Sequence, residues 1–120
     1  MKLLLQILIL SCTMTSCLMI NGRADLIEQN SDLVLPDNYT VIQDTSEAAG
    51  FAGSDYSIIV ELEFDSSNFE QLMKSLPENS DNWREDGGNY YFNKNLSKSE
   101  SVSIIIDPAS RLLLYRQDKI

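Results

Sequence analysis

The run Tyr-Ser-Ile-Ile-Val-Glu-Leu-Glu-Phe at Tyr56–Phe64 leaves the backbone little choice. Ile58, Val60, Leu62 and Phe64 recur at every second position, with Ser57, Glu61 and Glu63 between them. A strand sends successive side chains to opposite faces. Period two in β-branched and aromatic residues therefore predicts a strand with one dry face and one largely wet face. Such a strand needs a sheet to pair with and a layer to cover its dry side.

The flanking sequence supplies both. Ser67 followed by Glu70 reads as a capping box, and Phe69, Leu72, Met73 and Leu76 form one helical stripe. Pro77 stops the helix, which is too short to be stable alone and must pack on the sheet. Asn82–Glu85 and Tyr90–Lys94 flank Asp86-Gly87-Gly88-Asn89, a hairpin whose tip accepts positive φ. Val102, Ile104 and Ile106 alternate as another strand, Asp107-Pro108-Ala109-Ser110 is a turn, and Arg111–Arg116 is the last strand. Upstream, Tyr39–Gln43 reads as a strand and Asp44–Asp55, with Phe51 near its middle, as a loop.

The expected order is β-β-α-β-β-β-β. Its short links allow antiparallel neighbours only. The fold class is α+β: a two-layer sandwich with one short helix on an antiparallel sheet of about five to six strands. The outline resembles the helix-on-curved-sheet plans of cystatin-like folds, an architectural likeness that carries no function. The division is a leader over 1–17, a polar tether over 18–32 and a single domain over 33–120.

Composition narrows the chemistry. Nine basic against 18 acidic residues give a net charge of -9. That balance excludes a nucleic-acid surface, which needs clustered Lys and Arg, and it attracts basic proteins. There is no histidine, so the commonest general base and transition-metal ligand are missing. The carboxylates Asp81, Glu85 and Asp86 lack the spacing of a calcium loop. No serine sits in a nucleophile-elbow or Ser-x-x-Lys pattern. No cofactor, metal ion or catalytic residue is expected.

The first residues read as an address. Lys2 provides the charged start, and Leu3, Leu4, Leu5, Ile7, Leu8, Ile9 and Leu10 a short apolar run, the pattern of a secretion signal. Met14-Thr15-Ser16-Cys17 resembles the lipobox of bacterial lipoproteins, with Met14 in place of the usual Leu and Ser16 in place of Ala or Gly. The resemblance implies cleavage before Cys17, lipid attachment there, and anchoring at an envelope membrane, either the outer membrane or its periplasmic side. The competing exit is ordinary cleavage after Ala24, in Gly22-Arg23-Ala24, giving a secreted protein. Cys12 and Cys17 are the only two cysteines, so no disulfide forms within the domain on either route.

Two candidate sites remain. Glu61 and Glu63 share one strand face with side chains roughly 7 Å apart, a spacing near that of carboxylate pairs in glycoside cleavage. A solvated strand face has the same pattern. The second candidate is apolar. Ile59, Ile105, Leu113 and Tyr115 are out of phase with Val60, Ile104, Leu112 and Leu114, and Tyr91 falls between Tyr90 and Phe92. One helix covers one sheet face, so Ile59, Tyr91, Ile105, Leu113 and Tyr115 are expected on a second face. Either the Leu33–Leu35 segment folds over that face, or strand twist hides it, or a partner protein or second copy covers it. The reading is a non-catalytic envelope binding protein of the inhibitor or immunity kind. A scaffolding lipoprotein and a small hydrolase using Glu61 and Glu63 are the alternatives.

Overall fold

The computed structural model describes residues 23–49, 55–77 and 80–120, and Phe51 and Cys17 lie outside this set. Residues 23–31 form helix α1. Strands β1 (Thr40–Ala49) and β2 (Asp55–Glu63) follow, then helix α2 (Ser66–Lys74), then β3 (Trp83–Asp86), β4 (Asn89–Asn95), β5 (Glu100–Asp107) and β6 (Leu112–Lys119). The fold is α+β, with all six strands in one antiparallel sheet of order β1-β2-β6-β5-β4-β3.

Two helices, rather than the one expected, lie over this sheet. Residues 23–31 fall in the stretch that sequence assigns to a tether, yet Ile27 is fully buried in the core with Leu33, Val60 and Leu72. The stretch shows no apolar stripe because Ile27 is its one fully buried apolar residue, with Ala24 and Leu26 packed beside the core. Polar groups add to this. The Ser31 hydroxyl donates to the Ile27 carbonyl, Glu28 Oε2 accepts from the Leu35 amide at 3.1 Å, and Ser31 O accepts from Trp83 Nε1 at 3.4 Å. Asp32, in the left-handed region at φ 62°, ends the helix, its amide reaching Glu28 O at 3.1 Å.

Helix α2 begins two residues earlier than the expected capping box. Asp65 is its N-cap and accepts from the Asn68 amide at 2.8 Å, so Ser67 lies inside the first turn. Phe69 and Leu72 are buried, with Met73 and Leu76 packed beside them, as the stripe requires. At the other end Ser75 Oγ donates to Leu72 O at 2.7 Å and accepts from the Val34 amide at 3.1 Å. Leu33 and Leu35 are buried in the same core, so the segment between α1 and β1 belongs to the helical layer and leaves the second sheet face alone.

The core is the seam between the sheet and that layer. Val60, Leu62, Phe92, Val102, Ile104, Ile106, Leu113 and Tyr115 supply the sheet side. Antiparallel register sets them on one face: Val60 opposes Tyr115, Tyr115 opposes Ile104, and Ile104 opposes Phe92. The β3–β4 hairpin turns at Gly87 (φ 63°) and Gly88 (φ 87°), where a two-residue loop needs left-handed backbone. At the opposite edge β1 runs on to Ala49 instead of ending at Gln43. Thr40 and residues 41–48 are all exposed, so no periodicity marks them. An irregularity in register between Val41 and Gln43, with Asp44 and Glu47, guards this edge.

Truncating a buried side chain of α1 tests whether the helix is part of the folded unit. Ile27→Ala should lower unfolding free energy by about 2–5 kcal/mol in urea denaturation. A loss under about 1 kcal/mol would show that α1 contributes no core.

Candidate functional site

The face of the sheet opposite the helices carries no layer among the described residues, because both helices and the Leu33–Leu35 segment share the other side. One cross-strand row runs Arg84, Tyr91, Ile105, Leu114, Glu61 and Gln43 from β3 to β1. The next rows add Asp107, Leu112 and Glu63 on one side, and Ser103, Arg116 and Ile59 on the other. Tyr91, Ile105, Leu114, Leu112 and Ile59 thus form a contiguous apolar stripe. Ile105 is the most open of them at 37% exposure, and the rest are half-buried by their strand neighbours.

This places Ile59, Tyr91 and Ile105 where the sequence puts them. Leu113 and Tyr115 are placed differently: both are fully buried in the helix-covered core, and Leu112 and Leu114 occupy the open face. The cause is the β5–β6 loop. Asp107 pairs with Leu112, leaving an even number of residues, Pro108–Arg111, in the connection. An even loop in a hairpin sets even-numbered positions against odd-numbered ones, so Ile104 faces Tyr115 and Ile106 faces Leu113. Arg111 closes the loop at φ 54°, and its amide oxygen and Nε are both tied to Phe64, accepting from Phe64 N at 3.0 Å and donating to Phe64 O at 3.1 Å. A residue other than Gly or Asn in that conformation is not a signal that spacing reveals.

Tyr115 is instead the hub of a buried polar chain. Asn30 Nδ2 donates to its hydroxyl at 2.9 Å, and that hydroxyl donates to Gln117 Oε1 at 2.6 Å. Gln117 Nε2 donates to Glu100 Oε2 at 3.0 Å and to Tyr56 Oη at 3.2 Å. Burial pushes the Tyr115 phenol above its ordinary value, and the Glu100 charge adds to this, against the bond from Asn30 and the charge of Arg23. The chain lets an otherwise apolar core carry a buried glutamine with every polar atom partnered.

The electrostatics of the open face are uneven. Arg84 lies over the Tyr91 ring, 5.0 Å from its centre, and 3.9 Å from Asp86. Arg116 Nε is bonded to Asp118 at 2.8 Å. Burial raises the Asp118 carboxyl, but the Ser57 hydroxyl and Arg116 outweigh it and hold it below the usual range. Glu61 and Glu63 have no ion-pair partner among the described residues. They stand beside Leu114 and Leu112 on an open surface, and the larger clefts lie elsewhere. One of these, about 530 Å³, is a shallow groove between the end of α2 and β3, lined by Met73, Leu76, Pro77, Trp83 and Tyr90. Among the described residues no group of three or more His, Cys, Asp or Glu side chains could hold a metal ion, and no helix is long and apolar enough to cross a membrane. No protein-family profile, curated protein or solved structure matches the chain.

Two measurements check this account. Leu113→Ala should cost about 2–5 kcal/mol and Leu114→Ala under about 1.5 kcal/mol; a larger loss at Leu114 would mean that β6 sits in another register, and equal losses that both faces are covered. Tyr115→Phe should cost about 1–3 kcal/mol near neutral pH by stranding Asn30 and Gln117. The folded phenol titrates above its unfolded value, so the unfolded chain loses that proton first. The stability tied to it is complete below about pH 10 and is lost as pH rises through the folded value. The deficit of Tyr115→Phe relative to the parent should therefore narrow above about pH 10; a constant deficit to about pH 11 would contradict the assignment.

Proposed function

We propose that this is an exported, lipid-anchored binding protein of the cell envelope that acts through surface complementarity rather than catalysis. The observation that carries this reading is the apolar stripe on the open sheet face. A six-stranded sheet covered on one side only, with Tyr91, Ile105 and Leu114 in a row on the other, has the form of an interaction surface. The chemistry available is consistent with binding: no histidine in the chain, and a carboxylate pair on an open strand rather than in a cleft.

The address rests on the sequence up to Cys17, and the fold supports that exit over the one after Ala24. Cleavage after Ala24 would fall within helical residues 23–31. It would remove Arg23, whose Nε is 3.1 Å from Asp44 Oδ1 on β1, and Ala24, which packs against the core. Cleavage before Cys17 leaves that helix whole.

Mass spectrometry of the mature N-terminus is the test. The expected product begins at an acylated Cys17 and partitions with membranes, and Cys17→Ala releases it to the soluble fraction. An unmodified mature chain beginning at Asp25 would replace anchoring with plain secretion, and a full-length chain retained in the cytosol would end the reading.

A further inference from the structure

The open face has a charge pattern that selects among the surfaces able to cover it. Glu61 and Glu63 lie cross-strand from Leu114 and Leu112, so two carboxylates border the apolar stripe directly. Neither is neutralised by a described cation, whereas the two arginines on this face, Arg84 and Arg116, are already committed to Asp86 and Asp118. Asp107, in line with Leu112 and Glu63, is held by the turn it caps, through the Ala109 amide at 3.1 Å and the Ser110 hydroxyl at 3.2 Å. The stripe therefore has an acidic flank on β2, while each cation of this face stands beside an acid of its own strand, Arg116 closely at 2.8 Å and the exposed Arg84 loosely at 3.9 Å.

Three occupants fit this badly. A second copy brings its own acidic flank and the same net charge of -9, and an anionic lipid surface or a nucleic acid meets the same repulsion. A protein with an apolar patch edged by Lys or Arg fits both halves of the pattern. We propose that the open face is the docking surface for such a basic protein, its apolar patch covering Ile105 and Leu114 and its cations reaching Glu61 and Glu63. This rests on the reading of the chain as an envelope binding protein and adds the surface used and the chemistry of the partner. The two halves divide the work. Desolvation over Ile105 and Leu114 sets how long the complex lasts, and the carboxylates set how fast it forms and how strongly salt weakens it.

The experiment places the photoreactive amino acid benzoylphenylalanine at position 105 of the full chain, expressed in its native cells, and at Glu70 on the exposed side of α2 as the control. The expected result is one dominant cross-linked protein at position 105, absent from position 70, whose cross-linked segment carries an excess of Lys and Arg. With that protein purified, the E61Q/E63Q variant should bind about tenfold or more weakly at low salt and lose most of the salt dependence, through a slower association rate. Circular dichroism shows whether the variant is folded, and single E61Q and E63Q variants stand in if the pair is not. Cross-links to a second copy, to lipid or to an acidic segment, or equal labelling at both positions, overturn the proposal, as does salt dependence unchanged in the carboxamide variants. Fractionation separates the two levels. A chain found uncut in the cytosol defeats the envelope reading itself, and an anchored chain with a silent face defeats only the docking surface.

Discussion

The pairing of β6 with both β2 and β5 holds this molecule together. Without β6 the sheet divides into a β1–β2 hairpin and a β3–β4–β5 meander with no edge in common. A two-stranded ribbon is marginal in water, and neither piece has a face wide enough to seat two helices. With β6 in place, Tyr115 opposes Val60 on one side and Ile104 on the other, and Leu113 opposes Leu62 and Ile106. Those side chains form the floor on which Ile27, Phe69 and Leu72 pack. The helical layer depends on the central strand in turn: Asn30 is tied to the Tyr115 hydroxyl, and Phe64, leading into α2, is tied to Arg111.

Much of this plan is legible in the residues, and the parts that are not share a cause. Alternation in Tyr56–Phe64 and Val102–Ile106 shows because one face of each strand is buried under helices. The Gly87-Gly88 turn shows because its backbone excludes most side chains. The far half of β1 does not show, since an edge strand wet on both faces has no period to read. Helix 23–31 does not show because only Ile27 is fully buried, Ala24 and Leu26 packing at its margin, and because polar contacts of Glu28, Asn30 and Ser31 share in the docking. The phase of β6 is the instructive failure. Leu112, Leu113, Leu114 and Tyr115 are all apolar, so either alternate pair could face the core. The choice was made by the length of the Pro108–Arg111 connection, which is a matter of turn geometry. The open face is therefore legible for Ile59 and Ile105, whose strands alternate clearly, while Tyr91, between Tyr90 and Phe92, owes its phase to pairing with Ile105, and β6 has no phase of its own to read.

The two sides of the sheet follow different rules. On the covered side even the polar groups are satisfied internally, as the chain from Asn30 through Tyr115 and Gln117 to Glu100 shows. On the open side the side chains shield one another only in part, and the charges are arranged by strand. The cations lie on β3 and β6 beside their own acids, and the uncommitted carboxylates lie together on β2. An apolar row with a one-sided charge border distinguishes one direction of approach from its reverse, which an evenly charged border would not.

The strand at the middle of the sheet also follows the other five in the chain. A chain emerging from a ribosome, or threading through a pore, holds its β1–β2 ribbon and its later meander apart until Leu112–Lys119 is free to slip between them. Contacts between β2 and β6 span about half the sequence, and closing so long a loop is slow compared with forming a hairpin or a helix. Until Leu112–Lys119 is available the six-stranded sheet has no centre. The order of strands thus delays closure of the sheet until every strand in it has emerged.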